Sequence, residues 1–235
     1  MNLILLFEED FIDDSRARIG TRRLDHLARV HSAASGDTFR VGLVNGHMGT
    51  GVVIHATDTH LDMAVTLAHP PPAALPLTLV LALPRPKMLK RILQAVTTLG
   101  VKRIYLINAW KVEKSFWKSP VMEEKSLEQQ LILGLEQCRD TIMPEIFIRR
   151  LFTPFVKEEL LELAENSLGL VAHPQTDQVC PRNVKEETIL AVGPEGGFIN
   201  MEIETFEQAG FQTISLGERI LRTETAVPAL VSRLF

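Results

Sequence analysis

The sequence predicts an α/β protein in two parts, a small β-rich N-terminal segment and a larger domain built on a parallel sheet. Three observations carry that expectation. A run of prolines, His69-Pro70-Pro71-Pro72-Ala73-Ala74-Leu75-Pro76, favours extended backbone and cannot continue a helix or an inner strand, so it marks a boundary. Before it the pattern is short and turn-rich. After it, continuous apolar runs of strand length alternate with amphipathic stretches of helix length, as in a parallel sheet covered on both faces. The expected domains are therefore residues 1–72 and 73–235.

In the first part, Thr38-Phe39-Arg40-Val41-Gly42-Leu43-Val44 and residues 49–54 flank Asn45-Gly46, a pair suited to the positive backbone angles of a tight hairpin. Residues 21–34 read as a helix, with Leu24, Leu27 and Val30 at compatible spacing. A small β-barrel with one helix fits this pattern.

In the second part the expected strands are 77–82, 103–107, 145–148, 170–172, 188–192 and 213–216. The expected helices are 87–99, closed by Gly100, then 123–138, 157–167, followed by Gly169, 201–208, and a last one from Thr223. No internal repeat is visible.

Composition narrows the class. With 235 residues, 46% of them apolar, the chain can bury a core without metal or disulfide support. Its two cysteines, Cys138 and Cys180, lie far apart outside any C-x-x-C pair, which fits a reducing, cytosolic protein and no structural zinc. The apolar Asn2-Leu3-Ile4-Leu5-Leu6-Phe7 runs straight into Glu8-Glu9-Asp10, unlike a signal peptide. No apolar run is long enough to span a bilayer.

The net charge of -4 argues against indiscriminate coating of nucleic acid, but its distribution is uneven. Arg85, Lys87, Lys90, Arg91, Lys102, Arg103, Lys111, Lys114 and Lys118 face a single acid, Glu113, within one stretch, and Arg16, Arg18, Arg22, Arg23 and Arg29 form a smaller group. Most such residues solvate helix faces. The clustering also suits selective phosphate contact, with Arg22, Arg23, Arg29, Arg85, Lys87 and Arg91 as the candidates.

Two C-terminal segments carry chemistry. In Ile189-Leu190-Ala191-Val192-Gly193-Pro194-Glu195-Gly196-Gly197-Phe198 a buried strand ends in residues chosen for backbone geometry. Glycines there let a ligand reach main-chain amides, at the strand end where open α/β sheets bind ligands. In Ile214-Ser215-Leu216-Gly217-Glu218-Arg219-Ile220-Leu221-Arg222-Thr223-Glu224-Thr225-Ala226 a strand again ends in glycine, before two arginines and a helix start. Thr223 or Thr225 could cap that helix, and Glu224 would favour its positive end. Arg219 and Arg222 sit where the helix dipole disfavours cations, so something anionic belongs nearby. Neither segment is a dinucleotide or Walker loop, and His173 has no G-x-S-x-G partner, so nucleotide-dependent and Ser-His-Asp enzymes are poorly supported.

GPEGGF followed by LGERILRTETA resembles the signature of the bacterial 16S ribosomal RNA (uracil-N3) methyltransferases of the SPOUT superfamily. The resemblance extends, more loosely, to Asp25-His26-Leu27, Gly36-Asp37, residues 87–101, and Glu136-Gln137-Cys138-Arg139 before Pro144. It implies a PUA-like RNA-binding β-barrel joined to a trefoil-knotted α/β domain, a homodimer, and a crevice holding S-adenosylmethionine. Gly193, Glu195, Gly197, Leu216, Gly217, Ile220, Leu221 and Ala226 would line that crevice, with His173 at its border.

Where family members usually show Val-Leu-Arg, this chain has Val30-His31-Ser32, and Thr98 replaces a usual glutamate. Uracil N3 must lose its proton to gain a methyl group. The expected catalytic residues are thus Arg222 and Arg219, stabilising charge on the uracil carbonyls, with Glu224 either a base or a helix-capping acid. The rivals are a knotted methyltransferase for another base or for transfer RNA, and a non-catalytic RNA-binding or assembly factor with the same fold.

Overall fold

A computed structural model describes residues 2–20 and 33–235. Of the helix expected over 21–34 only Ala33 and Ala34 fall among them, and both are irregular. Contacts divide the chain into two compact units, Met1–Ala73 with Leu135–Met143, and Ala74–Gly134 with Pro144–Phe235.

The first unit is a six-stranded sheet of β1 (Ile4–Leu6), β2 (Phe11–Asp13), β3 (Arg16–Gly20), β4 (Thr38–Leu43), β5 (Met48–Ala56) and β6 (His60–His69). The order is β1-β4-β5-β6-β3-β2, parallel between β1 and β4 and antiparallel elsewhere. Strand alternation explains its core. Leu61, Met63 and Val65, two apart along β6, pack with Ile4, Leu6, Ala17, Ile19, Val41 and Val53.

The β4–β5 hairpin forms as expected, but only Asn45 of the Asn-Gly pair takes a positive angle, φ +57. Gly46 N–H donates to the Leu43 carbonyl at 2.9 Å, which closes the turn one residue earlier than the dipeptide suggests. Leu135–Met143 joins this unit through its main chain: the Glu136 carbonyl accepts from Asn2 and Leu3 N–H, and Asn45 N–H donates to the Thr141 carbonyl.

The second unit is a six-stranded, wholly parallel sheet. Its elements are β7 (Leu77–Ala82), α1 (Pro86–Thr98), β8 (Arg103–Ile107), α2 (Glu124–Cys138, its end in the first unit), β9 (Glu145–Arg149) and a helical run α3 over 152–164. They continue with β10 (Leu168–Ala172), β11 (Thr188–Val192), α4 (Asn200–Gln208), β12 (Gln212–Ile214) and α5 (Thr223–Leu234).

The strand order is β12-β10-β11-β7-β8-β9. The path steps outward from β7 through β8 to β9, then crosses to the other side for β10, β11 and β12. Right-handed crossovers therefore put α1 and α2 on one face and α4 on the other. The packing agrees. Gly134 of α2 lies so close to α1 that a Cβ there would meet the Thr97 Cβ at 2.6 Å, and α1 also packs on α5. On the opposite face Phe152 of α3 meets Phe206 of α4 edge-on at 5.5 Å, and Phe198 and Phe211 complete the cluster.

The inner strands β7 and β11 are buried at every position, which is why their sequences read as unbroken apolar runs. Three elements of this unit depart from their expected bounds by more than one residue. Gly169 lies inside β10 rather than after a helix, with its missing side chain leaving room for the Phe211 ring (3.0 Å from a built Cβ). The helix expected over 157–167 begins at Phe152 and contains a π turn, Phe155–Glu159. β12 stops at Ile214, two residues early, because Ser215 turns to pair with the 173–187 loop.

Phe206 is wholly buried between these rings. Phe206→Ala is expected to cost about 3–5 kcal/mol of stability. Urea unfolding checks this; a loss below about 1 kcal/mol would mean that the cluster can collapse around the gap.

Candidate functional site

The carboxyl ends of β10, β11 and β12 lie side by side in the sheet, and each gives way to an irregular segment. Between them and the first turn of α5 is a cavity of about 340 Å³. That volume falls in the range of small-molecule sites, roughly 300–1,000 Å³. The expected cofactor residues His173, Gly193, Glu195, Gly197, Leu216, Gly217, Ile220, Leu221 and Ala226 all line it. So do Pro194, Gly196, Ser215, Thr223 and Leu230, which were not among the expected cofactor residues.

The glycine-rich loop is shaped by close main-chain approach. A Cβ on Gly193 would stand 2.9 Å from Phe198 N and 3.1 Å from Gly197 C, so the strand end can turn back on itself only without a side chain. Two side-chain contacts fix the loop from outside. Arg85 N–H, at the N-cap of α1, donates to Glu195 Oε1 at 2.9 Å, and Lys111 Nζ donates to the Gly196 carbonyl at 2.7 Å. Glu195 thus lines the cavity and also neutralises an open helix terminus.

The second loop is held by Gly217, at φ +104, a conformation that a side chain would strain, and by its N–H donating to Ser215 Oγ. Among the described residues the N–H groups of Leu216, Ile220 and Leu221 make no main-chain hydrogen bond. Ile220 is 83% exposed.

The helix start differs from the sequence expectation. The N-cap of α5 is Arg222, with φ −67 and ψ 149 and no capping side chain, so neither Thr223 nor Thr225 caps it; Thr223 is instead buried in the first turn beside the cavity. The Arg222 carbonyl accepts from Thr225 and Ala226 N–H. Arg219 lines the cavity, whereas Arg222 is exposed outside its lining, and Glu224 sits half-buried in the first helical turn.

Of the expected phosphate contacts, Arg85, Lys87 and Arg91 are exposed around the start of α1, at the cavity end of the sheet. Arg22, Arg23 and Arg29 lie outside the described residues. The wider basic stretch is divided by the fold. Lys102 and Arg103 enter β8 at its amino end, away from the cavity, while Lys111, Lys114 and Lys118 follow its carboxyl end. Among the described residues no cluster of His, Cys, Asp and Glu is gathered as metal ligands would be, and no helix is long and apolar enough to cross a membrane.

Burial pushes the His173 imidazole below its ordinary value of 6.5; Glu207 opposes the shift and Lys111 adds to it. As pH falls through 6.5 the unfolded chain takes up a proton that the folded chain resists. Stability contributed by the neutral ring is therefore present above that pH and lost below it, down to the lowered native value. Melting temperatures from pH 7.5 to 5.5 should fall more steeply for the wild type than for His173→Gln. Parallel curves would remove His173 as the source.

Fold and cavity together are those of the α/β RNA methyltransferases, and the family described as RNA methyltransferase domain matches residues 71–235. The chain is 31% identical over 233 residues to ribosomal RNA small subunit methyltransferase E of Treponema pallidum, covering 96% of this chain and 88% of that one. It belongs to the ribosomal RNA small subunit methyltransferase E family.

Among solved structures, the Neisseria gonorrhoeae ribosomal RNA small subunit methyltransferase E bound to S-adenosyl methionine superposes with a TM-score of 0.74 at 18% identity, covering 98% and 95% of the two chains. A Legionella pneumophila methyltransferase with bound SAM gives 0.75 at 22% identity, covering 98% and 96%. At those identities the likeness is one of fold.

Proposed function

We propose that this chain methylates N3 of a uracil in 16S ribosomal RNA of the small subunit, using S-adenosylmethionine. The observation that carries the cofactor is the cavity itself, whose wall combines glycine main chain, unbonded N–H groups and the apolar Leu216, Ile220, Leu221 and Ala226. Such a surface offers stacking and amide hydrogen bonds to an adenine and no cluster of cations for a polyphosphate. The cofactor supplies an activated methyl group. The family names support the ribosomal substrate.

The chain's own part is to bind, align and handle charge. Loss of the N3 proton spreads negative charge onto the uracil carbonyl oxygens, and Arg219, in the cavity wall, and Arg222, exposed three residues further on, supply the cations to stabilise it. Glu224, in the first turn of α5, serves in this reading either to accept that proton or to favour the positive end of the helix. N3 is a pairing edge, so the target must be unpaired or flipped.

The first unit, in this reading, is a PUA-like RNA-binding module, and the working form is a cytoplasmic homodimer. The second unit is a trefoil knot. Supporting the knot, the 173–187 loop clasps the C-terminal segment: Cys180 N–H donates to the Ser215 carbonyl (2.8 Å), Arg233 Nε to the Cys180 carbonyl (2.7 Å), and Val184 N–H to the Leu234 carbonyl (2.8 Å).

The test is methyl transfer from labelled cofactor to small subunits lacking the modification, with the product base mapped. A label on uracil N3 supports the reading, and a label on another base or on transfer RNA alone would replace it. Cofactor binding without any transfer would favour an assembly factor.

A further inference from the structure

We propose that the connection between β8 and α2 is a binding platform for single-stranded RNA, on which Trp110 stacks an unpaired base beside the cofactor cavity. This rests on the function proposed above and adds to it a substrate-positioning residue. Both tryptophans of the chain, Trp110 and Trp117, lie on this one irregular connection. With them are Lys111, Lys114 and Lys118 against two acids, Glu113 and, at the far end, Glu123. The connection leaves the carboxyl end of β8, the end of the sheet that carries the cavity.

Trp110 is 77% exposed, although it is among the residue types that gain most from burial. Its exposure is not that of a loose loop. Ala109 and Val112 on either side are buried, and Val112 N–H donates to the Ala109 carbonyl. Trp110 N–H donates at 2.7 Å to Oε1 of Glu202, a residue only 3% exposed, whose other carboxylate oxygen accepts from Ile199 N–H at the start of α4. The neighbouring Lys111 reaches the carbonyl of Gly196, a cavity-lining residue. The indole is thus held out into solvent from a turn anchored both to α4 and to the cofactor loop.

Seven residues on, Trp117 is fixed by its Nε1–H to Asn108 Oδ1 (3.0 Å) and carries the Arg150 guanidinium 5.2 Å from its ring centroid. Aromatic faces alternating with cations are what a single strand requires, since bases stack and phosphates need countercharge. A two-fold contact between copies through Trp110 would instead bring Lys111 and Lys114 of each against their counterparts, a like-charge arrangement that costs energy.

The experiment uses the full chain and a uridine-containing single-stranded RNA oligonucleotide, with RNA binding followed independently by anisotropy of labelled RNA. In Trp117→Phe, where Trp110 is the sole emitter, saturating RNA should quench the fluorescence. Trp110→Ala should raise the RNA dissociation constant, and KM for RNA, about tenfold, while Trp110→Phe stays within about threefold of wild type. Cofactor affinity should be unchanged in both.

Unaltered Trp110 emission at saturating RNA, or wild-type RNA affinity in Trp110→Ala, overturns the proposal. So does emission that follows protein concentration rather than RNA, which assigns the face to self-association. Methyl transfer by the wild type, measured in the same preparations, reports separately on the function itself.

Discussion

Alanine at position 222 is expected to lower the rate of methyl transfer by roughly 10²–10³ while leaving cofactor affinity within about twofold. The expectation follows from where Arg222 stands. It is the N-cap residue of α5, exposed, outside the cavity lining, and three residues from Arg219, which is inside it. A helix start is an unfavourable place for a cation without an anion to meet. The anion of the reaction is the uracil, deprotonated at N3, and it exists only between loss of the proton and completion of methyl transfer. An arginine that meets it therefore acts on kcat rather than on the bound cofactor.

The substitution isolates the side chain, because the helix start uses only the Arg222 carbonyl, which accepts from Thr225 and Ala226 N–H. Single-turnover rates and calorimetric cofactor binding check this together. Arg222→Lys should recover part of the rate, since it keeps the charge and loses the planar fork. A wild-type rate in Arg222→Ala would leave Arg219 as the remaining candidate.

Gly193→Ala should lower cofactor affinity by roughly 10–100-fold. The methyl group it adds points at Phe198 N, Gly197 C and Gly197 Cα, at 2.9 to 3.1 Å. All three are main-chain atoms, so no side chain can rotate away, and the loop must move. That loop is tethered at Glu195 to α1 and at Gly196 to Lys111, so its displacement is resisted and falls on the cavity wall. Calorimetry with S-adenosylmethionine measures the loss, and circular dichroism shows whether the fold persists. Unchanged affinity in a folded variant would mean that the cofactor does not lie against this loop.

Much of the second unit was legible because a buried parallel strand has a simple signature. Leu77–Ala82, Arg103–Ile107 and Thr188–Val192 keep their expected bounds, being short apolar runs between turn residues. Where a residue answers to partners distant in sequence, local pattern failed. Gly169 looked like a helix stop but accommodates Phe211 from inside a strand. Thr223 looked like a cap but is buried beside the cavity. Leu135–Met143 belongs with residues that precede it by about a hundred positions, through main-chain bonds that no side-chain pattern records.

The sequence by itself determined the parallel α/β domain, the two glycine-bearing strand ends and their relation to a methyltransferase family. Each of these is written in local residue type: apolar period, backbone freedom, motif. The family resemblance implied that both strand ends and His173 share one crevice, and the fold brings them to one cavity; only the tertiary structure decided that Arg219 enters its wall while Arg222 does not, and that the basic stretch splits between the two ends of β8. Strand order sets those outcomes. It places β10 between β11 and β12, and it is fixed by crossovers and packing between residues far apart in the chain.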